Sequence, residues 1–235
     1  MSGTIPGSTS NRLLSCLSSD DLLLLQPNLK RVELPLRKNL ERANKAIDQI
    51  YFLESGFASV VAEGSDSRSI EVGLIGSEGM TGLSILMGTD RSPHETFIQG
   101  AGEGLRISAG SLRKAMEHSH TLHRMLLLYA HTFMLQVTHT AIANGRSKIE
   151  QRLARWLLMA QDRIGGDEVS LTHELLSLML GVRRSGVTVA LRLLEKAGMV
   201  RVRRGVISII DRKRLERLAG TTYGVAEAEY HRLLG

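Results

Sequence analysis

The residues best equipped for chemistry are cations, gathered between positions 170 and 210, SLTHELLSLMLGVRRSGVTVALRLLEKAGMVRVRRGVISII. Arg183, Arg184 and Arg192 are interleaved with Ser185, Gly186 and Thr188, and Arg203 and Arg204 follow just before Gly205. A guanidinium can grip guanine O6 and N7 with two parallel hydrogen bonds, or neutralise a phosphate. Catalytic parts are missing by comparison. Gly76–Gly82 lacks the terminal Gly-Lys-Ser/Thr of a nucleotide-hydrolysing loop, and Gly100–Gly104 is too irregular for a dinucleotide fingerprint. There is no Gly-x-Ser-x-Gly elbow and no His-Glu-x-x-His. The expectation is a binding protein, not an enzyme.

Positioning those cations requires particular elements. Ser170 or Thr172 can cap a helix whose apolar face is Leu175, Leu176, Met179 and Leu180. Gly181 ends it, since glycine tolerates a left-handed turn. A second helix spans about 183–197, with Val187, Ala190, Leu191 and Leu194 as its buried stripe. Two β-like runs follow, Met199–Val202 and Val206–Ile210, joined by Arg203-Arg204-Gly205. Together these make a winged helix-turn-helix. Arg183 and Arg184, at the start of the second helix, are assigned to bases, with Ser185 and Thr188 as hydrogen-bonding or methyl-contacting partners. Gly186 should permit close approach to the groove floor. Thr172 and Arg192 suit phosphates, and Arg203 and Arg204 suit the DNA backbone or minor groove.

The charge distribution agrees. The chain of 235 residues is long enough for two domains and carries a net +6. Residues 146–220 hold 16 Lys and Arg against 8 Asp and Glu, whereas the remainder holds 14 against 16. A basic block on the helix-turn-helix points to double-stranded DNA. No apolar run reaches the length of a spanning helix and no signal sequence opens the chain, so a soluble cytoplasmic protein without membrane contact is expected. Cys16 is the only cysteine and is read as a small buried side chain near the N-terminus. His120 and His123 share a spacing that suits a metal but lack carboxylate or thiolate neighbours, so no metal site is expected.

Upstream, residues 1–10 read as a disordered tail, and Asn11–Leu17 and Asp21–Gln26 as short helices. Six strands are expected: Lys30–Leu34, Gln49–Glu54, Ala58–Ala62, Ser69–Leu74, Glu95–Gln99 and Gly104–Ser108. Such spacing suggests an antiparallel barrel or jelly roll able to enclose a small ligand. Ser111–Ser119 is a helix, and a long one runs from about His120 to Asn144. Its apolar stripe, including Met125, Tyr129, Phe133, Gln136, Val137 and Thr140, is expected to pair two copies about a twofold axis. Asn144-Gly145 reads as a hinge. Ser147 and Glu150 have capping-box spacing for a helix over 148–163. After the wing come a helix over 212–219 and a last one over Val225–Leu234. The fold class is thus α+β: a roll over 11–119, a dimerisation helix over 120–145, a winged helix-turn-helix over 146–220 and a tail helix over 221–235.

This order resembles the Crp/Fnr superfamily of bacterial regulators over about residues 12–220. The most similar stretches are Leu171–Leu175, Gly181–Thr188 and Leu193–Val200, with Gly76–Gly82 standing where the family has its phosphate-binding cassette. The resemblance implies a transcriptional regulator bound to an inverted repeat as a homodimer, with RNA polymerase as a partner if it activates. It also implies effector contacts at Gly79, Gly82, Arg91 and Ser92. Two departures qualify it. Many members read bases with Arg-Glu-x-x-x-Arg, but here Ser185 follows Arg184 and Val189 stands at the second arginine. Cyclic-nucleotide binders place a glutamate after the equivalent of Gly82, where this chain has Leu83; that disfavours a cyclic nucleotide, and no cofactor is expected. The competing reading is a small-molecule sensor that acts through a protein partner.

Overall fold

The computed structural model describes residues 9–64 and 69–235. The expected tail over 1–10 lies outside these residues except for Thr9 and Ser10, which donate hydrogen bonds to Glu54. Helices α1 (Arg12–Ser15) and α2 (Ser19–Leu25) begin at Asn11 and Ser18, whose side chains accept from Leu14 and Asp21 amides. Strands β1 (Lys30–Leu34), β2 (Asn39–Glu41), β3 (Gln49–Leu53), β4 (Phe57–Glu63) and β5 (Ser69–Ile75) follow. Then come α3 (Leu83–Leu86), β6 (Glu95–Gly100), β7 (Gly102–Ser108), α4 (Ala109–His118) and the long α5 (His120–Arg146). The C-terminal part holds α6 (Ile149–Ile164), β8 (Glu168–Ser170), α7 (His173–Leu180), α8 (Arg184–Lys196), β9 (Val200–Arg203) and β10 (Val206–Ile209). Helices α9 (Arg212–Ala219) and α10 (Val225–Leu234) close the chain.

The chain forms two compact units. The first takes residues up to Val60, Ile75–Met134 and Glu229–Gly235. Its strands are antiparallel: β7 lies between β1 and β3, pairing Val32 with Gly104 and Phe52 with Leu105. A second sheet has the order β2-β6-β4-β5. This is the expected roll. Its core joins Ile50, Phe52, Met80, Leu105 and Ile107 to Leu13 and Leu14 of α1, Leu112 of α4 and Leu122, Leu126 and Tyr129 of α5. Tyr230 and Leu234 of α10 complete it, and Cys16 is half-buried with its thiol donating to the Leu234 carbonyl. Burial pushes that thiol's pKa up, which leaves it little thiolate character.

The second unit takes Val61–Leu74 and Leu135–Ala228. A three-stranded antiparallel sheet, β8-β10-β9, flanks the bundle of α6, α7, α8 and α9. Helix α6 is buried continuously from Leu153 to Ala160 and packs against α8, whose buried stripe is Val187, Ala190, Leu191 and Leu194. Each buried aliphatic side chain contributes about 1.5–3 kcal/mol. The outer part of the β4–β5 hairpin belongs to this unit. Trp156 Nε1 donates to Glu71 Oε1 at 2.6 Å, and the Gln136 side-chain amide pairs with both backbone groups of Leu74, at 2.6 and 3.1 Å. Arg155 donates to the carbonyls of Thr222 (2.7 Å) and Gln136 (3.2 Å). Burial holds its guanidinium down to about 10, against the pull of Glu227 and Glu71.

Three expectations change. Helix α5 runs unbroken through Asn144 and Gly145 to Arg146, so the break falls at Ser147-Lys148. Helix α6 starts without the Ser147–Glu150 box; instead Gln151 Oε1 accepts from the Lys148 amide at 3.0 Å. Tyr129 and Gln136 do not face outward on α5. They are 2% and 6% exposed, because Tyr129 packs over Gly79 and Gln136 is spent on Leu74. Met125 packs against the roll core, and Phe133, Val137 and Thr140 are half-buried. The exposed apolar residues of α5 are instead Leu127, Met134 and Ile142.

Candidate nucleic-acid interface

Helix α7 is capped by Thr172, whose hydroxyl accepts from the Leu175 amide at 3.2 Å while its own proton stays available to a phosphate. The helix ends at Gly181, with φ of 59°. The Val182 amide donates to the Ser177 carbonyl and the Gly181 amide to that of Leu178, the paired bonds of a Schellman turn. Space also demands glycine here, since a Cβ would stand 2.7 Å from Ile70 Cδ1 of the hairpin. The turn delivers the chain into α8 with Arg183 at its N-cap and Arg184 as its first helical residue.

Burial of Val187, Ala190, Leu191 and Leu194 fixes which side of α8 points away from the domain. Residues Ser185, Val189, Arg192 and Lys196, spaced by fours and threes, form that outward line, and all are exposed. Arg183 and Arg184 project from the first turn, also exposed. The wing is a hairpin in which Arg203 pairs with Val206, so the turn proper is Arg204-Gly205. Both have positive φ, 48° and 82°, as a two-residue turn matching strand twist requires. Arg203 and Arg204 are exposed at its tip. Among the described residues, the side chains of Arg183, Arg184, Arg192, Arg203 and Arg204 make neither ion pair nor hydrogen bond. Elsewhere in the same unit Arg212 is tied to Asp162 and Glu216. Five unspent guanidiniums around one helix and one wing form a ready polyanion surface.

Two residues of the expected set are used differently. Thr188 donates to the Arg184 carbonyl at 3.1 Å and lies 3.0 Å from His173 Nδ1, so its hydroxyl is committed within the domain. Gly186 is half-buried where α8 meets the start of α6. A Cβ there would sit 3.1 Å from Ile149 Cδ1, so the missing side chain serves the close approach of α6 to α8. Val189, on the outward line and 57% exposed, was not in the expected set.

The roll's expected effector residues do not assemble as one cradle. Gly79 is a packing glycine: its Cβ would overlap the Tyr129 hydroxyl, and its carbonyl accepts from Asn11. Arg91 is exposed and paired with Asp90, and Ser92 is buried with its hydroxyl accepting from the His94 amide. Gly82 does present its amide to an anion, but that anion is Glu41 of β2, which also accepts from Thr96 Oγ1 at 3.1 Å and from Thr81. Burial raises the Glu41 carboxyl above its ordinary range, with the Gly82, Thr96 and Thr81 donors opposing. Leu83 is half-buried against the core. Glu41 gave no signal in sequence, where it sits between Leu40 and Arg42 like any surface acid. Among the described residues no group of three or more His, Cys, Asp or Glu is placed to hold a metal, and no helix is long and apolar enough to cross a membrane.

Residues 151–218 match the family described as the Crp-like helix-turn-helix domain. A search of curated proteins finds no significant match. Solved structures do resemble the chain. One from Eubacterium rectale, named as a regulator of the crp/fnr family, is 22% identical and covers 88% of this chain and 97% of its own, with a TM-score of 0.70. A CRP-family transcriptional regulator from Thermus thermophilus is 21% identical over 82% of this chain and 97% of its own, at 0.66. The c-di-GMP-responsive global regulator CLP of Xanthomonas campestris is 18% identical over 82% and 99%, at 0.67. The chain thus has the fold of the Crp/Fnr transcriptional regulators, and its residues 151–218 match the Crp-like helix-turn-helix domain.

Proposed function

We propose that the chain is a transcriptional regulator that binds an inverted-repeat DNA operator as a homodimer. The observation that carries this is the set of five exposed, unpaired arginines on α8 and the wing of a Crp-like helix-turn-helix. Arg184 and Arg183 read bases from the first turn of α8; Thr172, Arg192, Arg203 and Arg204 hold phosphates or the minor groove. Phosphate contacts set register and salt dependence, and base contacts set sequence.

The second copy joins through α5. Leu127, Met134 and Ala141 recur every seven residues, with Val137 three after Met134, the spacing of a two-stranded seam. Leu127 is 40% and Met134 58% exposed, on the side away from buried Leu122, Leu126 and Tyr129. A signal reaches the reading helix by way of the β4–β5 hairpin, whose Ile70 abuts the Gly181 turn and whose Glu71 and Leu74 are held by Trp156 and Gln136. Glu41 on the Gly82 amide argues against a cyclic nucleotide as that signal.

Filter binding of purified protein to duplex DNA over a range of salt tests the reading. A steep fall in affinity with salt and preference among sequences are expected. Binding without sequence preference would favour a sensor that docks an acidic protein.

A further inference from the structure

The outward line of α8 runs Ser185, Val189, Arg192, Lys196, and its second member is an aliphatic side chain with no packing role. Val189 is 57% exposed, whereas Val187 two residues earlier is fully buried. It does not stand alone. Leu193, one turn on, is 49% exposed, and with Ile149, Glu150, Ser185, Gly186 and Ala190 the two line an open groove of about 290 Å3 between the start of α6 and α8. On the outward line itself Val189 lies between Ser185 and Arg192, with Lys196 beyond, all exposed. An apolar side chain on a line that also carries Arg192 and Lys196 suits a partner that offers an apolar group close to anionic ones. In a DNA major groove one group answers that description: the C5-methyl of thymine, flanked by phosphates.

The geometry points to Val189 as a specificity-determining residue that reads a thymine methyl in each half-site. This rests on the DNA-binding reading above and adds to it a contact that requires no hydrogen bond. The chemistry also divides labour along the helix. Thr188, the other residue with a methyl group, is half-buried and held by Arg184 and His173, so Val189 is the better placed of the two. Arg184 specifies guanine through paired hydrogen bonds, and Val189 discriminates thymine from cytosine and from uracil by burying one methyl.

The test uses the full-length protein and the duplex it selects most strongly from a random pool. Each thymine is replaced in turn by deoxyuridine, symmetrically in both halves, which removes the methyl and keeps base pairing. One position should weaken binding about fourfold per half-site, the worth of one buried methyl group. Val189→Ala, a change at an exposed site that leaves the core intact, should bind the thymine and deoxyuridine duplexes equally. Val189→Thr, which keeps a methyl on the β-carbon, should retain part of the discrimination. A scan in which no deoxyuridine costs as much as twofold, or a Val189→Ala variant with an undiminished penalty, overturns the assignment while leaving DNA binding intact. Failure to select any duplex overturns the DNA reading and this contact with it.

Discussion

The wing and the reading helix carry the same kind of side chain but are assigned opposite duties, and the difference is measurable. Consider the double replacement Arg203→Gln/Arg204→Asn against the single replacement Arg184→Ala. Asparagine is chosen at 204 because that residue has φ of 48°, which asparagine tolerates better than alanine. All three side chains are exposed and unpaired, so neither variant disturbs the fold. If both wing arginines sit on phosphates, a dimer loses four such contacts. At about 0.9 per phosphate in the slope of log affinity against log salt, the slope should become shallower by about 3.6. Between 50 and 200 mM salt the variant's affinity would then fall about a hundredfold less than that of the parent. Arg184→Ala should leave the slope almost unchanged. It should instead cost about 1–3 kcal/mol of discrimination between the preferred half-site and one altered at its guanine. Fluorescence anisotropy with two duplexes at four salt concentrations gives both quantities. A flattened slope for Arg184→Ala with unchanged discrimination, and the reverse for the wing pair, would show that reader and clamp are interchanged. No effect from either would place these arginines away from DNA.

Other outcomes follow from single contacts. Leu127→Asp puts a carboxylate at an exposed seam position of α5, and sedimentation should show monomers and a loss of operator affinity; a stable dimer would place the interface elsewhere. Titrating cyclic AMP into the protein should release no heat and leave DNA affinity unchanged, because Glu41 fills the Gly82 amide and Leu83 cannot accept from a ribose hydroxyl; micromolar binding would contradict this. Gly181→Ala should destabilise the domain by about 1–2 kcal/mol from the left-handed backbone alone, with more from the Ile70 contact, read as a lowered melting temperature; an unchanged melting point would mean that the turn is not under this constraint. Glu41 has its pKa raised by burial above the usual 4.5, so the native state holds that proton more tightly than the unfolded chain. Its stabilising contribution is complete below the unfolded value and is lost as pH rises through the folded one. Glu41→Gln should therefore flatten the decline in stability on moving upward from about pH 4, as followed by urea denaturation; an identical pH profile would rule this out.

What the sequence displayed was mostly local. Gly181 ended a helix because an αL residue was needed there, and the period of Val187, Ala190, Leu191 and Leu194 gave the buried side of α8 and hence its outward line. Strands β1, β3, β4, β5, β6 and β7 appeared within a residue or two of their places because glycine and charged turns punctuate them. Strand β2 and helix α3, three and four residues long, carry too little pattern to announce themselves. Long-range bonds were invisible. Nothing near Gln136 in sequence says that its amide is spent on Leu74, nor near Tyr129 that a glycine waits beneath it, so in sequence the buried face of α5 looks like a seam. The helix is apolar on two sides, and periodicity alone does not say which side meets a second chain. Gly186 is set by the same kind of long-range contact: the space beside it is taken by Ile149, 37 positions earlier in the chain. Val189 replaces a hydrogen-bonding reader with an apolar side chain, and its exposure is what gives it a use.

Recognition of an inverted repeat requires that two copies of α8 be presented together to successive major grooves. Selection of bound duplexes from a random pool, followed by sequencing, measures this directly. An enriched inverted repeat, its half-site centres one helical turn or roughly 34 Å apart, is the expected result. A pool that shows no enrichment, or that yields a lone unrepeated motif, would contradict it.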